Sequence, residues 1–253
     1  MLSPTETKVA LVTGSGRMRV GNVVARELAN AGHAVAIHFH RSAESANETV
    51  AELRRGGTDA AAFQANVADE DEVERLFREV TARFGRLDVL VNAASRYAPQ
   101  PLETVTAQDV MNHFSVDVLG SFLCGRRAGL IMAGHEDGGV IVNIGDWAVR
   151  RPYRDYAAYL VSKGCIPTLT RVLAVELAAR NPKVRVNCIL PGPVMFPPDL
   201  TDAERQELVE ATLVKTADHP ESVSRAVRFF VESPFVTGSC LTVDGGRSIF
   251  AGE

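Results

Sequence analysis

The segment KVALVT (Lys8–Thr13) runs into GSGRMRVG (Gly14–Gly21) and then into NVVARELANA (Asn22–Ala31). A short, nearly continuous apolar run without polar alternation reads as a strand buried on both faces. A glycine- and arginine-rich turn follows, and then a stretch with helical spacing that Gly32 stops. The same rhythm repeats outward along the chain. Strands are predicted at Ala34–His40, Ala61–Asn66, Asp88–Asn92, Val140–Ile144, Val184–Leu190 and Cys240–Val243. Helices are predicted at Ala43–Gly56, Glu70–Phe84, Thr106–Ala133, Tyr153–Arg180 and Asp202–Glu210. Such a βαβ pattern predicts a single α/β domain over residues 1–253. Its architecture is a doubly wound, Rossmann-like parallel sheet of about seven strands with helices on both faces.

Composition narrows the function. The chain has 253 residues, 46% of them hydrophobic and 23% charged, as in an ordinary globular domain. A net charge of −4 argues against a nucleic-acid partner, which would call for a basic stripe. No apolar run approaches the roughly 20 residues needed to cross a bilayer, so no membrane span is expected. The first residues carry neither a basic region nor an apolar core, so no secretory signal is expected. The four cysteines, at 124, 165, 188 and 240, form no CxxC pair, which suits a reducing cytoplasmic location. The Asn47-Glu48-Thr49 sequon then reads as a chance match on a helix. The six histidines show no metal-ligand spacing, and no metal is expected. Of 27 basic residues only Lys8, Lys163, Lys183 and Lys215 are lysines. In such a chain a retained lysine marks a specific need.

Glycines between a strand and a helix let the backbone turn tightly and approach a pyrophosphate, which the helix N-terminus stabilises. The turn at Gly14–Gly21 therefore reads as a dinucleotide site. The end of the second strand selects the dinucleotide. An acid there would grip a ribose 2′-hydroxyl, but the chain reads His38-Phe39-His40-Arg41-Ser42, with no acid before Glu44. Arg41 can offer a guanidinium fork to a 2′-phosphate and Ser42 a hydroxyl, so NADP(H) is expected over NAD(H). His40 reads as a neighbour of the adenine.

Tyr159 and Lys163 stand four apart on one predicted helix, hence on one face. An ammonium beside a phenol stabilises the phenolate and readies the tyrosine to give a proton to a substrate. The spacing alone also describes an amphipathic helix with a surface lysine. Pro167 lies inside the same helix and is expected to kink it.

Taken together, several motifs resemble the short-chain dehydrogenase/reductase family along nearly the whole chain. They are Thr13-Gly14 with Gly21, Asp88–Ser95 (DVLVNAAS), Val142-Asn143-Ile144, Tyr159–Lys163 (YLVSK), Val184–Asn187 (VRVN), Pro191–Val194 (PGPV), and Val243–Gly246 (VDGG). The resemblance implies hydride transfer to or from a nicotinamide, with Tyr159 as proton donor and Lys163 on the nicotinamide ribose. It places the cofactor along Thr13, Gly14, Ser15, Arg19, Val20 and Gly21 in the turn, and against His40, Arg41 and Ser42. Further contacts fall on Asn66 and Val67, on Asn92, Ala93, Ala94 and Ser95, and on Pro191, Gly192 and Val194. It also implies a homotetramer or homodimer, and a substrate lid over residues 195–219.

The departures from the family pattern are informative. The usual catalytic serine, thirteen residues before the tyrosine, is Asp146, and the usual helix asparagine is Asp117. Arg19 stands where a glycine is expected, Ser95 closes the strand-four motif, and Phe196 replaces a threonine. Asp146, Arg19, Ser95 and the His-Arg-Ser end of strand two resemble the pteridine reductase branch, as does Thr212–Ala217. That likeness implies substrate contacts from Arg19, Ser95, Tyr97, Asp146 and Tyr159, with Asp146 paired to Tyr159 in proton delivery. A carboxylate also accepts the ring N–H and amino donors of a pterin, and in a dry pocket its pKa rises. It can equally serve as a cap on the Trp147-Ala148 turn. Asp117 does not fit the branch, and pairing with Lys163 is its alternative role. The expected activity is an NADPH-dependent reduction of a small pterin-like or carbonyl substrate. The alternatives are a 3-oxoacyl-thioester reductase and a catalytically weak NADP(H)-binding sensor or scaffold.

Overall fold

A computed structural model describes residues 7–196, 200–217 and 219–250. Its centre is a fully parallel sheet of β1 (Val9–Val12), β2 (Ala34–Phe39), β3 (Ala60–Gln64), β4 (Val89–Asn92), β5 (Gly139–Ile144), β6 (Val184–Pro191) and β7 (Cys240–Val243). The spatial order is β3-β2-β1-β4-β5-β6-β7. Every residue of β1, β2, β4 and β6 is buried, as strands covered on both faces require, and the polar ones among them (His38, Asn92, Arg185 and Asn187) are hydrogen-bonded inside. The doubly wound α/β architecture is the one expected from the sequence.

Two helical layers supply the covers. On one face lie α1 (Val20–Asn30), α2 (Ala43–Arg55) and α8 (Pro220–Glu232), which bury Val24, Leu28, Val50, Val223, Val227 and Phe230. The other face carries α3 (Glu70–Phe84), α5 (Gly120–Ala133) and α6 (Ala157–Ala178), with Leu76, Phe77, Leu123, Met132, Leu169 and Leu173 inward. The strand order reverses between β1 and β4, which opens a crevice at their carboxyl ends.

Several boundaries differ from expectation for identifiable reasons. The region predicted as one helix from Thr106 to Ala133 is α4 (Ala107–Phe114), a π-helical turn at Ser115–Leu119, and α5. Thr106 and Asp109 form a reciprocal capping box at its start. The long helix predicted from Tyr153 begins only at Ala157, because Asp155 adopts a left-handed conformation at φ 65°. Pro167 sits within a helix that stays continuous across it; without an N–H, it leaves the Lys163 carbonyl without its helical donor. The helix α8 was not predicted, although Pro220 at its first position and the Val223, Val227, Phe230 stripe are its signal. In the expected lid, α7 (Asp202–Glu210) is present, capped by Thr201 and Glu204. Pro197, Pro198, Asp199 and Asp218 of that segment lie outside the described residues. No described helix is long and apolar enough to cross a membrane.

Candidate active site

The crevice is held in shape by buried polar contacts from β1 and β2. The Thr13 hydroxyl accepts from the Ala93 and Ala94 amides at 3.0 and 3.1 Å, which locks the end of β1 to the end of β4. Gly14 has φ +68°, and a Cβ there would lie 2.7 Å from the Ala94 Cα, so only glycine fits. The Gly14 amide donates to His38 Nδ1 at 3.0 Å, and His38 Nε2 donates to the Ala65 carbonyl at 3.0 Å. His38 is fully buried, and desolvation pulls its pKa down to about 4. The ring is therefore neutral, with its proton on Nε2, and clamps the turn to β2 and β3. Sequence reasoning gave His38 no role; its signal was a histidine inside an otherwise apolar strand.

The residues expected along the cofactor divide into two kinds. Arg19, His40 and Arg41 are exposed at the mouth, with Ser42 half-buried beside them. Arg19 and Arg41 make no ion pair among the described residues. Ser15 instead turns inward and donates to the Val12 carbonyl at 2.7 Å. The Asn92 amide donates to Asn143 Oδ1 at 2.9 Å, and Asn143 donates to Thr170 Oγ1 at 2.9 Å, so that side chain braces the sheet. Asn66 Oδ1 accepts from the Ala68 amide at 3.2 Å. Val67 packs on Gly120, while Val20, Gly21 and Ala93 meet at the turn. Gly192 passes so close to Asp244 that a Cβ would lie 2.6 Å from its Cα, which fixes the loop from Pro191 to Val194.

At the carboxyl ends of β4 and β5 the four expected chemical residues converge. Tyr159 on α6 donates to Asp146 Oδ2 at 2.7 Å, and Asp146 Oδ1 accepts from the Ala148 amide at 2.8 Å. Asp146 thus caps the turn and binds the tyrosine at once. Burial pushes the Asp146 carboxyl up, opposed by the Ala148 and Tyr159 bonds and by Lys163. Tyr159 is held well above the usual phenol range, first by burial and then by the charge and hydrogen bond of Asp146.

Lys163 Nζ donates to the Ile144 carbonyl at 2.9 Å and lies 5.7 Å from the Tyr159 ring centroid. It is 4% exposed. Its carboxylate neighbour is Asp117, at 3.5 Å, carried by the π-helical turn. That turn aims a residue inward that a regular helix would place elsewhere. Asp117 Oδ2 also accepts from Ser162 Oγ at 2.8 Å, with His113 Nδ1 at 3.7 Å. His113 was not foreseen, although it stands four before Asp117, and its ring meets Tyr159 edge-on at 6.0 Å.

An aromatic wall surrounds this centre. Tyr97 stacks on Tyr156 at 4.6 Å and meets Tyr159 edge-on at 5.2 Å. Tyr153 contacts Tyr156 at 5.0 Å and stacks on Trp147 at 6.0 Å. All four tyrosines and the single tryptophan of the chain gather here. Arg247 covers Trp147 at 5.0 Å and donates to the Leu208 carbonyl of α7, tying that helix to the wall. Of these groups only Tyr97 and Tyr159 were expected at a substrate. Ser95 lies beside them, its hydroxyl 3.4 Å from the Arg96 carbonyl.

A family profile described as enoyl-(acyl carrier protein) reductase matches residues 18–248. The chain belongs to the short-chain dehydrogenase/reductase family. It is an oxidoreductase of that family. Within the family it is 34% identical to a 3-oxoacyl-[acyl-carrier-protein] reductase of Staphylococcus aureus, over 95% of this chain and 98% of that one. It is 31% identical to a short-chain dehydrogenase/reductase of Aspergillus novofumigatus, over 95% of this chain and 96% of that one. A crystal structure described as a short-chain alcohol dehydrogenase from Sinorhizobium meliloti superposes with a TM-score of 0.88 at 30% identity. That match covers 98% of this chain and 100% of the other.

Proposed function

We propose that the chain is an NADPH-dependent reductase of small, flat pterin-like or carbonyl substrates. The observation that carries the reading is the 2.7 Å bond between Tyr159 and Asp146 at the foot of the aromatic wall. The residues at the crevice fit NADPH: among the described residues Arg41 is exposed without an ion-pair partner where a 2′-phosphate would lie, with Ser42 beside it and no acid paired to it. Bound there, NADPH supplies a hydride.

The chain's own part is the proton. Tyr159 presents its hydroxyl to the substrate nitrogen or oxygen that gains a proton. The Asp146 carboxyl, raised by burial, holds a proton more readily than a surface aspartate and can replace the one that Tyr159 gives up. Lys163, fixed by the Ile144 carbonyl, stabilises the phenolate that forms in between. Tyr97 and Tyr156 offer a flat apolar face to a ring.

A second reading, reduction of a 3-oxoacyl thioester, is favoured by the named activity of the Staphylococcus aureus relative. NADPH oxidation measured with dihydrobiopterin, dihydrofolate, a quinone and an acetoacetyl thioester separates them. Turnover of the dihydropterins is expected. Turnover of the thioester alone would sink the pterin reading, and tight NADPH binding without any turnover would favour a sensor.

Self-association is part of the same proposal. α6 exposes Val161, Val172 and Val175, and α5 exposes Phe122 and Leu130. Such a face suits packing against a second copy in a homodimer or homotetramer. Light scattering that gives a monomer mass would overturn it.

A further inference from the structure

Cys188 on β6 and Cys240 on β7 are direct partners across neighbouring parallel strands. Such strands run about 4.8 Å apart, inside the Cα separation of about 4.4–6.8 Å that a disulfide spans. Both side chains join the core cluster on the α6 face of the sheet. Cys188 Sγ lies 3.6 Å from the Ile189 carbonyl, and the two thiols perturb each other as direct neighbours. Their surroundings differ sharply. Cys188 is fully buried, whereas Cys240 is half-buried on the terminal strand.

Charge adds to the asymmetry. The charges of Arg171 on α6 and of Arg150, just beyond β5, favour the Cys240 thiolate, and although the Lys163 charge favours the Cys188 thiolate, burial and the neighbouring Cys240 outweigh it. The neighbouring Cys188 thiol is the largest cause lowering the Cys240 thiol, to about 6, while Cys188 is pushed well up by Cys240 and by burial. The other two thiols lack this arrangement. Cys124 is buried, its thiol pushed up to about 12, and Cys165 stands alone, its Sγ 3.7 Å from the Val161 carbonyl.

We propose that Cys188 and Cys240 are a peroxide-oxidisable dithiol, in which Cys240 is the attacking thiolate and Cys188 the resolving thiol. The Cys240 sulfur attacks one oxygen of a hydroperoxide. The O–O bond breaks, Cys240 becomes a sulfenic acid, and the leaving oxygen takes a proton to depart as water or an alcohol. Cys188 then attacks the sulfenic sulfur. An S–S bond forms, the S–O bond breaks, and the hydroxyl leaves as water with the Cys188 proton. Two thiols lose two electrons in all, and the peroxide gains them. The pair lies directly behind the catalytic loop, since a Cβ on Gly145 would sit 3.3 Å from Cys188 Sγ and Asp146 is the next residue.

The test is peptide mass spectrometry of the full chain after hydrogen peroxide and quenching with N-ethylmaleimide. The expected product is a Cys188–Cys240 cross-linked peptide pair, lighter by two hydrogens and reversed by dithiothreitol, with Cys124 and Cys165 still alkylated. In Cys188→Ser, dimedone should label Cys240; in Cys240→Ser, both the label and the cross-link should vanish. In the reduced chain, Cys240 should react with iodoacetamide roughly tenfold faster at pH 6 than the same thiol in urea, after allowing for its weaker intrinsic nucleophilicity. Oxidation of Cys165 ahead of Cys240 would overturn the proposal. So would a Cys240 sulfinic acid with Cys188 still free, or a cross-link that forms only after unfolding. None of these readouts depends on which substrate the enzyme reduces.

Discussion

Replacing Lys163 by Met tests whether the buried ion pair is as tightly coupled as its geometry requires. The Lys163 ammonium and the Asp117 carboxylate are 3.5 Å apart, with side chains 5% and 0% exposed. At an effective dielectric constant near 20, a pair at that distance attracts by about 5 kcal/mol. Met keeps most of the aliphatic volume but leaves Asp117 charged, buried and opposed by no ammonium. The expected cost is about 3–5 kcal/mol, the usual penalty for stranding one member of a buried pair. Adding Asp117→Asn removes the stranded charge while retaining an oxygen for the Ser162 hydroxyl, which now bonds Asp117 at 2.8 Å. The double variant should therefore recover stability, with a coupling of at least about 2 kcal/mol in the cycle. It should not recover fully, because the Ile144 carbonyl still loses its donor. Urea unfolding at pH 7 and fixed protein concentration reads all four proteins, since a change in midpoint at constant slope is a change in stability. A Lys163→Met cost below about 1 kcal/mol, or additive effects, would refute the reasoning.

Three further outcomes follow from the site. The Asp146 carboxylate disfavours the Tyr159 phenolate, so Asp146→Asn should let Tyr159 lose its proton at lower pH. The alkaline decline of kcat/KM for reduction then begins at lower pH, and a profile that superposes on the wild type would contradict this. Arg41→Asp should lower the preference for NADPH over NADH roughly 10–150-fold, the value of a charge-assisted phosphate contact, and an unchanged ratio of kcat/KM would remove Arg41 from that role. His38 is neutral when folded with a pKa near 4, whereas the unfolded ring takes a proton near 6.5. Its contribution is complete above pH 6.5 and fades as pH falls toward 4, by up to about 3 kcal/mol. His38→Gln should flatten that part of the stability curve, and an equally steep curve would count against the clamp.

Much of the site could be read in the chain because its motifs are local. The Tyr159–Lys163 spacing lies within one helical turn, and the strand, turn and helix from Lys8 to Ala31 are contiguous. Counting thirteen residues back from Tyr159 led to Asp146, and the structure places its carboxylate against the phenol. What escaped notice is brought together over long separations. His113 and Ser162 lie 49 residues apart but meet on the carboxylate of Asp117, the one member of that cluster the motif singles out. Trp147, Tyr153, Tyr156 and Arg247 meet Tyr97 and Tyr159 only because β4, β5 and β7 end at the same edge of the sheet.

Asn92 and Ser15 mark the same boundary from the other side. Both sit in motifs that predict cofactor contacts, yet both side chains are spent inside the fold, on Asn143 and on the Val12 carbonyl. Predominantly apolar runs and helical spacing suffice to specify a parallel α/β sheet, because burial on both faces favours apolar residues at most positions of a strand. Which way a buried polar side chain turns depends on donors and acceptors from distant strands, and no local pattern records them. The π-helical turn that aims Asp117 at Lys163, and the strand register that sets Cys188 beside Cys240, are decisions of that kind.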